Sequence, residues 1–169
     1  MLRTWLPAMA RLQPDERDLL AEYTTALVRG MRWEAANGFE LTDEMRVAIA
    51  AHASLLALHL DDGLDSYLSV TSVIVHPSTI ELHGTRSVGG GMFTDRAESV
   101  LGEAHHDGPV LVAWDAASYQ ARHPATGENV LLHEFAHRLD MLDGVSDGTP
   151  PLPDQDALRR WAEVCTRSL

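Results

Sequence analysis

Cysteine is almost absent from this 169-residue chain: Cys165 stands alone. No disulfide can close within the chain, and nothing in its cysteine usage calls for an oxidising compartment. Basic residues are also scarce. There are 13 Lys and Arg against 25 Asp and Glu, a formal net charge of −12. Such a balance offers no basic stripe to neutralise a phosphate backbone, so nucleic-acid binding is excluded as the main task. It leaves room for a basic protein partner. Long apolar runs are missing too. The most apolar stretch, Ile49 to Leu60, contains His52 and His59 and is too short to span a membrane. The N-terminus, Met-Leu-Arg-Thr-Trp-Leu-Pro, lacks the sustained apolar run of a signal peptide. A cytoplasmic protein without a membrane anchor is the expectation. Gly89-Gly90-Gly91 is not followed by the Lys-Ser or Lys-Thr of a phosphate-cradling loop.

What remains is ordinary globular material. Hydrophobic residues make up 45% and charged residues 22% of the chain. That is enough for one domain with a core. Pro14 opens a helix expected to run to about Trp33, with Leu20, Tyr23, Leu27 and Met31 on its apolar face. Asn37-Gly38 breaks it. Thr42 is placed to cap a second helix that starts with Asp43 and Glu44 and runs to about Leu60. Ser69 to His76 is rich in Val, Ile and Thr and ends at Pro77, which predicts a strand. Thr79 to His83 is a further candidate strand, and Val110 to Trp114 a short buried one. A third helix is expected from about Glu128 to Leu142, stopped by Gly144, and a last one from Gln155 onward. Helices, then strands, then helices again indicate an α+β fold.

The third helix carries the chemistry. In His133-Glu134-Phe135-Ala136-His137 the histidines are four apart, one turn apart on one face, so both imidazoles can reach one tetrahedral zinc. Glu134 is displaced around the helix toward the water such an ion holds. From there it can take the water's proton while the ion lowers the water's pKa and polarises a scissile carbonyl. Leu131, Phe135, Leu139 and Leu142 cluster on the side away from the histidines. The stripe can face a core while the histidines face a cleft; a merely structural pair would sit inside the stripe.

A catalytic zinc takes three protein ligands and keeps one position open. Asp143 lies ten residues after His133, where one large class of zinc peptidases places its third ligand. That class turns the chain with a glycine three residues after the second histidine, and here that position is Asp140. Asp140 is spaced to orient a ligand histidine. Glu163, on the last helix, is a third ligand candidate of another common kind. His52, His59, the pair His105-His106 and Cys165 read as packing, surface or loop residues rather than ligands.

The run Gly127 to Asp140, with Asp143-Gly144 and Asp147-Gly148-Thr149-Pro150 after it, resembles the Mlc titration factor A family of glucose-regulated zinc-dependent peptidases. So do Leu41 to Ala50, Gly102-Glu103-Ala104, and Gly108-Pro109-Val110-Leu111-Val112-Ala113-Trp114-Asp115. The resemblance runs over nearly the whole chain, in order. It implies a zincin-like fold related to the catalytic domain of anthrax lethal factor, with helices on a small mixed sheet. It also implies zinc, aminopeptidase-like cleavage of peptides, and a sugar-responsive transcriptional repressor as partner. By position, His133 and His137 would be zinc ligands and Glu134 the general base. The family's third ligand is a glutamate in an Asp-Pro-Ala-Glu-like stretch well beyond the zinc helix, and no such stretch occurs up to Leu169. The expectation is therefore a single zincin-like domain, residues 1–169, that lacks its C-terminal part. The alternative is a module that sequesters the repressor and carries a vestigial or incomplete zinc site.

Overall fold

A computed structural model of the chain describes residues 2–78, 108–145 and 147–168. The expected strand Thr79 to His83, the triple glycine and His105-His106 lie outside these residues. In chain order the elements are α1 (Leu2–Trp5), α2 (Pro14–Gly30), β1 (Trp33–Ala35), α3 (Asp43–Ala57), β2 (Val73–His76), β3 (Val110–Ala113), α4 (Trp114–Arg122), α5 (Val130–Asp140) and α6 (Gln155–Ser168). Short 3-10 turns join several of them.

The three strands form one parallel sheet in the order β1-β2-β3, with Trp33 opposite Val73 and Val73 opposite Val110. The expected mixed sheet is thus, among the described residues, purely parallel. Parallel strands need cover on both faces, which is why Val73-Ile74-Val75 in β2 and Val110-Leu111-Val112-Ala113 in β3 read as apolar runs rather than an alternating pattern. Val73, Val75, Val110 and Val112 are all buried. The first helix stops at Gly30, short of the expected Trp33, and Trp33 begins β1 instead. Trp33 still touches the helix it leaves, through its indole N–H donating to the Val28 carbonyl at 3.1 Å.

α3 is the pillar of the core. Thr42 caps it as expected, its Oγ1 accepting from the Met45 amide at 3.3 Å. Every residue from Ala48 to Ser54 is buried. Four of these seven are alanines, which let α2 approach on one side and α5 on the other. Between α2 and α3 the buried Thr24 and Ser54 hydroxyls meet at 3.4 Å while each also donates to its own helix. That keeps both polar groups satisfied in an apolar seam. Tyr67 closes the other end: its ring meets Phe135 of α5 edge to face at 5.4 Å, and its hydroxyl donates to the Ala53 carbonyl. Gly63, in the turn before it, sits at φ +51°, and a Cβ there would fall 2.6 Å from the Tyr23 hydroxyl oxygen. Only glycine suits both demands.

Two elements hold α1 down. Trp5 donates to a Glu44 carboxylate oxygen at 2.8 Å, and its ring packs 5.2 Å from that of Trp114. α6 behaves differently. Its apolar residues Leu158, Trp161 and Val164 fall on one stripe yet stay exposed. No helix among the described residues is long and apolar enough to cross a membrane.

Candidate metal centre on helix α5

α5 is the expected third helix, trimmed at both ends to Val130–Asp140. Its first turn is satisfied from two directions. The Asn129 side chain accepts from the Leu132 amide at 3.1 Å. Gln120, on α4, accepts from the Val130 amide at 2.7 Å and reaches Glu128 with its own amide nitrogen. A 3-10 turn, Met141–Asp143, comes next, and Gly144 at φ +84° ends it.

Burial divides the helix as its pattern predicts. Leu131, Phe135 and Leu139 are buried against α3 and β3, while His133 is exposed and Glu134 and His137 are half-buried. The two imidazoles converge. Their Nε2 atoms lie 3.0 Å apart and the rings meet edge to face, 84° between planes. Two nitrogens bound to one tetrahedral zinc stand about 3.3 Å apart, given bonds near 2.05 Å. The 3.0 Å separation is a hydrogen-bond distance, and it is close to the spacing that two ligands of one such ion need.

The third position is a different matter. Among the described residues no group of three or more His, Cys, Asp or Glu side chains is placed to hold one metal ion. Asp143 is exposed, and its carboxylate accepts from the Val145 amide at 2.9 Å. Glu163 is exposed on α6. Neither joins the histidine pair. Asp140, read as a group that orients a ligand, is buried at the end of α5 with 6% of its surface exposed. His52 is buried inside α3, and His59 is a surface residue paired with Glu16 at 3.1 Å.

Two contacts around α5 escaped the sequence reading. One is Gln120, whose helix α4 begins where the strand was expected to end, at Trp114. Its signal was present: Asp115 in the first turn, Arg122 in the last, and Ala117 and Ala121 one turn apart as its buried face. The other is Arg138. Its Nη2 donates to the Pro109 carbonyl at 2.6 Å, tying α5 to the residue before β3. Burial pulls its guanidinium below the usual range, and the charge of Glu134 pushes it back up.

Comparison with known proteins settles the family. The model of the family described as glucose-regulated metallo-peptidase M90 matches residues 1–169. The chain belongs to this family. An uncharacterised protein of Synechocystis is 32% identical to it over 160 residues, 94% of this chain and 58% of the relative. Mlc titration factor A of Escherichia fergusonii is 27% identical over 149 residues, 88% of this chain and 55% of the relative. The Edwardsiella ictaluri protein of the same name is 27% identical over 161 residues, 94% of this chain and 59% of that one. The resemblance drawn from the α5 motif is thus borne out. The chain spans less than three fifths of the length of these curated relatives.

Proposed function

We propose that this chain carries the zinc-binding helix of a zincin-like metallopeptidase with aminopeptidase-like action on peptides. The observation that carries this reading is the convergence of the His133 and His137 Nε2 atoms at 3.0 Å beside Glu134, on the face opposite Phe135. His133 and His137 would hold the ion, with a third ligand from outside the described residues. A bound zinc supplies a Lewis acid that acidifies water and polarises a peptide carbonyl.

The chain's own residues do the rest. Glu134 takes the proton of the attacking water and returns it to the leaving amine. Phe135, locked against Tyr67, fixes the rotation of the helix and so the direction in which both histidines point. β3 packs against α5 and is an outer strand among the described residues. An extended peptide laid along it would gain backbone hydrogen bonds that do not depend on its side chains. A cytoplasmic setting goes with this reading, since a single cysteine needs no oxidising compartment.

A second reading rests on the relatives named Mlc titration factor A. In it the protein captures a transcriptional repressor, and its net charge of −12 suits a basic surface on that partner. One substitution separates the two. Glu134→Gln should keep zinc and lower peptide hydrolysis by about 10²- to 10⁴-fold, as removal of a general base does. Hydrolysis at the parent rate would overturn the peptidase reading. Loss of repressor binding on that change alone would count against capture as an independent task.

A further inference from the structure

Phe135 lies two residues from each histidine of the pair, so it takes the reverse face of α5, where it is fully buried. What it meets there bears on how α5 is rolled about its own axis. Leu131 and Leu139, the other buried apolar residues of the helix, pack through aliphatic surface, and such contact has no preferred direction. The contact of Phe135 with Tyr67 does have one. The rings meet edge to face, 5.4 Å between centroids and 76° between planes. Tyr67 is itself seated on a different helix. Its hydroxyl donates to the Ala53 carbonyl of α3 at 3.0 Å, and only 4% of its surface is exposed. It ends the 3-10 turn Gly63–Tyr67, which touches both α3 and α5. The other end of that turn is Gly63, where the close Tyr23 hydroxyl leaves no room for a side chain. We propose that Tyr67 is a positioning residue for the metal centre: seated on the Ala53 carbonyl of α3, it sets the roll of α5 through Phe135 and so aims the His133–His137 pair.

This deepens the metallopeptidase reading and rests on its histidine pair. The spacing between the two imidazoles is a property of α5 alone. Their aim toward a donor on another element is not. A roll of about 10° carries a side-chain tip ~5 Å from the helix axis through almost 1 Å. A working metal site tolerates misplacement of only about 0.5 Å. Tyr67 acts here from behind the helix, without touching metal or substrate. The alternative is a core residue that stabilises the fold and leaves the aim of the pair unchanged.

The test reads that aim directly, in residues 1–169 and without hydrolysis. The probe is Cu(II) chelated by iminodiacetate: imidazole suits copper, and the chelate supplies the donors that two histidines lack. A nitroxide goes on Ala26→Cys, an exposed position of α2, with the lone Cys165 changed to Ser. Pulsed electron paramagnetic resonance then gives the copper-to-nitroxide distance. Tyr67→Leu should shift or broaden that distance by about 1 Å or more, the displacement a small roll produces. Phe135→Leu removes the same ring contact from the α5 side and should do likewise; it carries the test alone if Tyr67→Leu does not fold. Leu6→Ala opens a cavity in a core cluster away from α5, and should lower Tm while the distance stays at the parent value. A parent-like distance in a folded Tyr67→Leu, or in Phe135→Leu, overturns the inference. So does an equal shift in Leu6→Ala, which would be general loosening of the core. Copper that stays bound in His133→Ala would overturn the histidine pair as a metal site, and the positioning role with it.

Discussion

His52 stands in the middle of α3 with 1% of its surface exposed. Its Nδ1 lies 2.8 Å from the Ala48 carbonyl, an oxygen that can only accept, so Nδ1 carries the hydrogen and Nε2 is bare. Nε2 is buried with no hydrogen-bond partner among the described residues. Protonating it would bury a charge and an unpaired N–H together, and burial accordingly pulls the ring's pKa below its ordinary 6.5. The unfolded chain therefore takes up a proton at His52 as pH drops below about 6.5, while the folded chain does not until a lower pH. The stability His52 contributes is complete above about 6.5 and is lost as pH falls from there toward the folded value. Tm should decline as pH falls below about 6.5, the ordinary histidine value, and His52→Phe, which keeps a ring of similar size, should flatten that slope. An equal slope in the variant would assign the decline to other groups. From sequence His52 was legible only as a residue of packing or surface, because nothing local says which turn of α3 faces α2 and α5.

The elements show where local chemistry decides structure and where it does not. α3 and α5 were legible because their signals are local. Thr42 caps one, apolar residues recur every three or four in both, and Gly144 ends the turn after α5. β1 was not. Three residues make a strand only because β2 supplies their partners from about forty residues away, and Trp33 reads equally well as the end of α2's apolar face. α4 was hidden in a similar way, since the apolar run Val110 to Trp114 signals a strand so strongly that the weaker helical pattern from Asp115 to Arg122 is masked. The overlooked helix matters for the site, because its Gln120 satisfies the first amide of α5 at 2.7 Å. Gln120→Ala removes that acceptor and should lower stability by about 1 kcal/mol, the usual scale for a lost helix-start contact. Urea unfolding monitored by circular dichroism would measure it. A midpoint unchanged from the parent would mean that Asn129 alone suffices to start the helix.

At the scale of the whole molecule, only half of the proposed metal site is legible in the sequence. The two proposed ligands and the proposed base lie within five residues of one helix, so periodicity alone could place them together. A third ligand comes from another part of a fold, and no local pattern announces it. Asp143 and Glu163 were the candidates spacing offered, and neither lies with the histidine pair. In each of the relatives matched here, more than two fifths of the length lies outside the matched region. Two imidazoles hold zinc far less firmly than the three protein ligands of a catalytic site. Residues 1–169 alone should therefore keep well under one zinc per chain after dialysis, and His133→Ala should change that little. Elemental analysis of both proteins decides it. Near-stoichiometric zinc that disappears in His133→Ala would put the third donor inside residues 1–169, either in the part not described or through a rearrangement that brings Asp143 or Glu163 to the pair. Little zinc in both would send the search for the missing carboxylate beyond Leu169, and would tie any hydrolytic activity to a chain long enough to supply it.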